Sequence, residues 1–161
     1  MLNINHLRSV IKRVLKAMGE YTPEGELLIL GTFAMESKLS DLHSGGKFGD
    51  LNYKYGLMAM DAKKLDWILT EWLPYSRQYI DKLELAVGLY LTDLEPNDIR
   101  HLADEHIGFM VALTHSWYRT HYEDVPEMDY LEIAKCYKSE WDTEFGTRTV
   151  DEFVSVLKSV V

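Results

Sequence analysis

The feature that most constrains this chain is the run from Glu26 to Leu39, which is apolar on nearly every side through Leu27, Leu28, Ile29, Leu30, Phe33, Ala34 and Met35. Thr22-Pro23-Glu24 just before it is a helix start, with a hydroxyl cap, a proline in the first turn and a carboxylate near the positive end of the dipole. A helix that is apolar all round has to lie at the centre of a fold, with other elements packed about it. Glu36 is its one discordant member, because a carboxylate in such a segment needs a partner or a purpose.

The surrounding segments supply the packing partners. Leu7, Val10, Ile11, Val14, Leu15 and Met18 recur at helical spacing, with Arg8, Lys12, Arg13 and Lys16 on a solvated face and Gly19 as the stop. Ser40 to Tyr55 breaks the helical pattern with Ser44-Gly45-Gly46 and Gly49-Asp50, a glycine-rich loop or short hairpin. Asp61 caps a helix on Leu65, Ile68, Leu69 and Trp72 that Pro74 ends, and another helix spans about 76–91. Pro96-Asn97-Asp98 opens a long helix to about Arg119. Asp129 with Glu132, and Thr149 with Glu152, begin the last two as capping boxes. The expectation is a mainly all-α fold of six or seven helices, with 1–161 forming one domain and 1–20 an amphipathic helix packed on it.

Charge narrows the partners. The 161 residues carry a net charge of -9. Residues 1–91 hold 11 acidic and 11 basic side chains, so the remaining 15 acidic and 6 basic residues place the whole excess in the later part of the chain. Such a surface repels phosphate backbones, which excludes nucleic acid as the expected partner. No stretch approaches the roughly 18 uninterrupted apolar residues of a membrane span, and Met1 to His6 lacks the pattern of a secretory signal. The lone Cys136 fits a buried thiol in a protein made in a reducing cytoplasm.

Glu36 shares its helical face with Ile29, Thr32, Phe33 and Ser40, surroundings that favour a protonated carboxyl by desolvation. Glycoside cleavage requires such a group, since the leaving oxygen takes a proton as the bond breaks. The plainer reading is a glutamate at the end of a core helix, paired with Lys38, Lys54 or an arginine. Asp41 and Asp50 are candidates for a second carboxylate, although loop aspartates are commonly turn formers. His101, Asp104, Glu105 and His106 cluster on the long helix, but no second ligand motif accompanies them, so neither metal nor cofactor is expected. Most of the aromatic set Trp67, Trp72, Trp117, Trp141, Tyr53, Tyr55, Tyr79 and Tyr118 falls at core spacing.

Glu36-Ser37, followed by Gly56-Leu57-Met58-Ala59-Met60, resembles the paired motifs of lytic transglycosylases and goose-type lysozymes. The resemblance implies a lysozyme-like domain that cleaves the glycan strand of peptidoglycan. Glu36 would then be the acid, Ser37 its support, and Gly56, Leu57 and Met58 the groove wall, with Tyr53 and Tyr55 touching the sugar. A wider resemblance, from Leu30-Gly31-Thr32-Phe33-Ala34-Met35-Glu36-Ser37 to Tyr137-Lys138-Ser139-Glu140-Trp141-Asp142-Thr143, is to uncharacterised tailed-phage proteins. It implies synthesis in a bacterial host and association with a virion. The chain departs from the enzymes at Ala59, where they carry Gln, and in lacking an Ala-Tyr-Asn-x-Gly segment; Ala112 to Tyr118 offers Thr114, His115 and Tyr118 instead. An inactive lysozyme-like structural or adaptor protein of a phage particle is the alternative these departures imply.

Overall fold

The computed structural model describes residues 3–37, 47–121, 129–142 and 148–161. Within them the chain is mainly helical. Helix α1 (Ile4–Ala17) leads to α2 (Pro23–Ser37), and a two-stranded antiparallel hairpin, β1 (Lys54–Tyr55) and β2 (Met60–Asp61), precedes α3 (Ala62–Trp67). Then come α4 (Arg77–Val87), α5 (Pro96–Glu105), α6 (Ile107–His121), α7 (Tyr130–Tyr137) and α8 (Val150–Val160).

Helix α2 is the hub, buried from Gly25 to Met35 and packed against α1, α6, α7 and α8. It starts as its sequence dictates, with Thr22 Oγ1 accepting the Gly25 amide at 2.9 Å. Close approach of α8 depends on Gly31, since a Cβ there would stand 2.3 Å from the Phe153 ring. Glu26 is buried on this helix, and Arg8 of α1 meets its carboxylate at 2.9 Å, with Lys12 at 4.0 Å. Part of the basic stripe of α1 therefore serves an internal charge rather than solvent. A buried carboxylate would otherwise be severely penalised.

Two helices differ from their sequence expectation. The long helix from Pro96 breaks at His106, whose backbone is extended (φ -102°, ψ 107°). Its imidazole Nδ1 accepts the Phe109 amide at 2.9 Å and so caps α6, a role usually taken by Ser, Thr, Asp or Asn. The helix expected over 76–91 stops at Val87, where Gly88 takes the left-handed conformation (φ 72°) that ends a helix without a Cβ penalty. The described residues thus hold eight α-helices, one or two beyond the number expected.

Helices α3 and α7 both run on into single π-helical turns, Ile68–Trp72 and Lys138–Asp142. Such turns release backbone carbonyls from their usual partners. In the second, the Trp117 indole donates to the Glu140 carbonyl at 2.7 Å and Lys64 Nζ to the Trp141 carbonyl at 2.8 Å. Lys64 also stands 4.5 Å from the Trp141 ring centroid and 5.3 Å from that of Trp117, joining α3 to the turn by cation–π contact.

Candidate active site

Thr32 and Glu36 lie one turn apart on α2, so their side chains share a face. Thr32 Oγ1 donates to the Leu28 carbonyl at 2.7 Å. Its single proton is then used, so Tyr118 of α6, 2.7 Å from the same oxygen, is the donor of that pair. Burial pushes the Tyr118 phenol well above its ordinary pKa and keeps it protonated. One turn on, the Tyr137 hydroxyl of α7 donates to Glu36 Oε1 at 2.6 Å. Phe153 stacks behind Tyr137 at 4.7 Å between ring centroids, and Trp141 lies 5.5 Å from Tyr118. Both tyrosines and Trp141 are buried, while Glu36 and Ser37 are half-buried at the end of the helix. Ser37 Oγ donates to the Phe33 carbonyl one turn back, at 2.8 Å.

A groove of about 490 Å³ runs between the end of α2 and the start of α8, lined by Ala34, Met35, Arg148 and the first two turns of α8. Glu36 is not among its described lining residues.

Most of the second half of the expected site is interior. Tyr55, Gly56, Leu57 and Met58 are all buried, so the groove wall read from the sequence is packed interior, and Tyr55 offers no face to a ligand. The reason is Asp104 on α5. Its carboxylate accepts the Tyr53 hydroxyl at 2.6 Å and the Gly56 amide at 3.1 Å, pinning the hairpin against the helix. Gly56 has a positive φ of 70°, and a Cβ there would meet the Ala103 carbonyl at 2.6 Å. Ala59, standing where the resemblance expects Gln, closes the hairpin turn with φ 47°. Tyr53 is half-buried, and burial together with the Asp104 carboxylate raises its phenol. Phe48 packs edge-on to Tyr53 and stacks on His101 at 4.1 Å.

Asp50 is exposed in a turn, where its carbonyl accepts the Tyr53 amide at 3.1 Å; Asp41 lies outside the described residues. Among the described residues no three His, Cys, Asp or Glu side chains gather closely enough to hold a metal. Nor is any described helix long and apolar enough to cross a membrane.

The residue that sequence reasoning missed is Tyr137. It lies in the Tyr137-Lys138-Ser139 stretch of the wider resemblance, whereas the segment read as standing in for Ala-Tyr-Asn-x-Gly is Ala112 to Tyr118. Tyr118 does face α2, bonded to Thr32 rather than to Glu36. No family model matches the chain, and neither curated proteins nor solved structures give a match.

Proposed function

We propose that this chain is a phage-type, lysozyme-like protein that cleaves the glycan strand of peptidoglycan with Glu36 as general acid. The observation that carries the reading is the Tyr137–Glu36 hydrogen bond at the end of an otherwise buried helix. It gives the carboxyl group a fixed orientation, and a positioned acid is the least that glycoside cleavage needs. Glu36 would give its proton to the glycosidic oxygen as the bond to the anomeric carbon breaks. The resulting carboxylate would take the proton of the sugar's own hydroxyl as that oxygen closes on the same carbon, leaving an anhydro end. One carboxylate is enough for this sequence. Hydrolysis calls for a second, and Asp41 and Asp50 are the candidates carried from the sequence.

A specific observation favours a second reading. The Gly56-Leu57-Met58 segment is interior, and Asp104 holds it there. A lysozyme-like domain whose motif residues have become packing is what an inactive adaptor or structural component of a phage particle would retain. Both readings place synthesis in the bacterial host cytoplasm, and the second adds residence in the virion.

Digestion of purified Gram-negative peptidoglycan by wild type and by Glu36→Gln, with mass spectrometry of the released fragments, tests the proposal. Anhydro-sugar fragments from wild type alone support a transglycosylase, and reducing-end fragments from wild type alone a lysozyme. Folded wild type that releases nothing from several wall types removes the enzyme reading in favour of the structural one.

A further inference from the structure

Helix α4 and the chain that follows it carry apolar side chains that nothing among the described residues covers. Leu85 is 80 % exposed and Tyr90 78 %. They line a groove of about 380 Å³ together with Leu89, and Leu89 also lines a second groove of about 410 Å³ floored by Leu94 and Leu102. The two grooves share Leu89 and together form a track over α4, the loop after it and α5. Isolated exposed leucines are ordinary, but large apolar groups side by side along a groove mark a contact surface.

The charges on this track have one sign. Asp81 and Glu84 line the first groove and Asp98, Glu105 and His101 the second, where His101 Nδ1 lies 3.7 Å from Glu105 and Asp98 accepts the Glu95 amide at 3.3 Å; no Lys or Arg lines either among the described residues. Over residues 77–105 seven carboxylates face only Arg77, Lys82 and Arg100. Arg100 is directed to Asp66 of α3 at 3.6 Å. Glu84 Oε2 accepts the Leu91 amide at 2.8 Å, which holds the loop in place and leaves the carboxylate at the groove.

We propose that this track is a docking site for a basic amphipathic helix of another protein. Leucine-type residues one turn apart would fill the grooves, and flanking Lys or Arg would meet the four carboxylates. Charge complementarity selects this occupant. Anionic lipid surfaces are repelled by the same carboxylates. A second copy of this chain has one basic amphipathic helix to offer, α1, but Leu7, Val10, Ile11, Val14 and Leu15 of that helix are buried in its own core. Its Arg8 is held by Glu26 at 2.9 Å; Lys12, Arg13 and Lys16 are exposed, but the apolar face that they would flank is the buried one. The proposal does not depend on Glu36: α4 packs on α1 and α6, and α5 on α6 and β1, whereas the Tyr137–Glu36 pair joins α7 to α2.

The test is fluorescence anisotropy of the full chain with a labelled helical peptide bearing one leucine face and one lysine face. A second peptide of the same design carries Glu for Lys. The double variant Leu85→Ser/Tyr90→Ser alters only exposed positions, and its melting temperature is checked first. The expected result is saturable one-to-one binding of the lysine peptide, weaker at higher salt, with Kd raised about tenfold or more in the double variant. The glutamate peptide should not bind. Absence of lysine-peptide binding, equal binding of both peptides, or unchanged Kd in the double variant overturns the proposal. So does self-association of wild type, or binding to phosphatidylglycerol vesicles, that the double variant abolishes, since either assigns the surface to a different occupant.

Discussion

Tyr137 donates its hydroxyl proton to Glu36 Oε1 at 2.6 Å, a hydrogen bond that spans 101 positions of sequence and ties α7 to the end of α2. The bond fixes the orientation of the carboxyl group, so Tyr137→Phe should slow glycan cleavage, by about tenfold or more. Loss of the bond should also lower stability by about 1–2 kcal/mol, read by urea unfolding. Glu36→Gln keeps an acceptor for the tyrosine, so its stability should stay within about 0.5 kcal/mol of wild type while cleavage disappears. A stability loss in Tyr137→Phe with no change in the cleavage rate would reduce Tyr137 to a packing residue.

Asp104 holds two donors of the hairpin segment at once, the Tyr53 hydroxyl and the Gly56 amide. Asp104→Ala should leave both without their acceptor and cost about 2–4 kcal/mol. Tyr53→Phe, which removes one of the two, should cost about 1–2 kcal/mol. Hydrogen exchange at the Gly56 and Leu57 amides is the sharper measurement. It should speed up markedly in Asp104→Ala, and unchanged protection would show that the hairpin is held by its apolar contacts alone.

Neither of these relationships was legible in the sequence, although much of the fold was. The hub helix, its Thr22 start, the Asp61 cap and the Thr149–Glu152 start of α8 were readable because capping and apolar periodicity act over three or four residues. The Asp129 cap was readable too, with its carboxylate accepting the Leu131 amide at 2.8 Å. Its expected reciprocal partner, Glu132, instead lies 3.2 Å from Lys135. The break at His106 was hidden because a histidine is a rare cap and the apolar pattern runs across it unbroken. Burial of Gly56-Leu57-Met58 was hidden because the resemblance makes that stretch a groove wall, and Asp104, which accepts the Gly56 amide, stands 48 positions on. The Tyr137–Glu36 pair was hidden for the same reason: helical periodicity places each residue on a face but does not say which faces meet.

Gly31 sits beneath the Phe153 ring, and Phe153 stacks on Tyr137, so the approach of α8 to α2 supports the partner of Glu36. Gly31→Ala places a methyl group 2.3 Å from a ring atom, inside contact distance, and the ring or the helix has to shift. Helix propensity favours alanine by up to about 1 kcal/mol, whereas overpacking costs about 1–3 kcal/mol, so a net loss of stability is expected. Phe153→Leu in the same background should recover part of it by vacating the space. A Gly31→Ala protein as stable as wild type would mean that α8 moves freely on α2.

The last prediction concerns Glu20, just after α1. Its carboxylate lies 3.4 Å from His115 Nε2 and 3.3 Å from Arg119 Nε, both on α6. His115 does most to hold this carboxyl below the usual carboxylate range, and Arg119 adds to it, while partial burial works the other way. Since the folded pKa is depressed, the interaction stabilises the fold above the unfolded value near 4.5 and is lost as pH falls through the folded value. Glu20→Gln should therefore cost about 1 kcal/mol at pH 7, a figure kept small because the carboxylate is partly solvated. The difference from wild type should shrink below pH 4.5 and vanish once Glu20 is protonated in both states. Melting temperatures of the two proteins across that range decide the matter: curves that stay parallel down to strong acid would show that Glu20 contributes through packing and not through its charge.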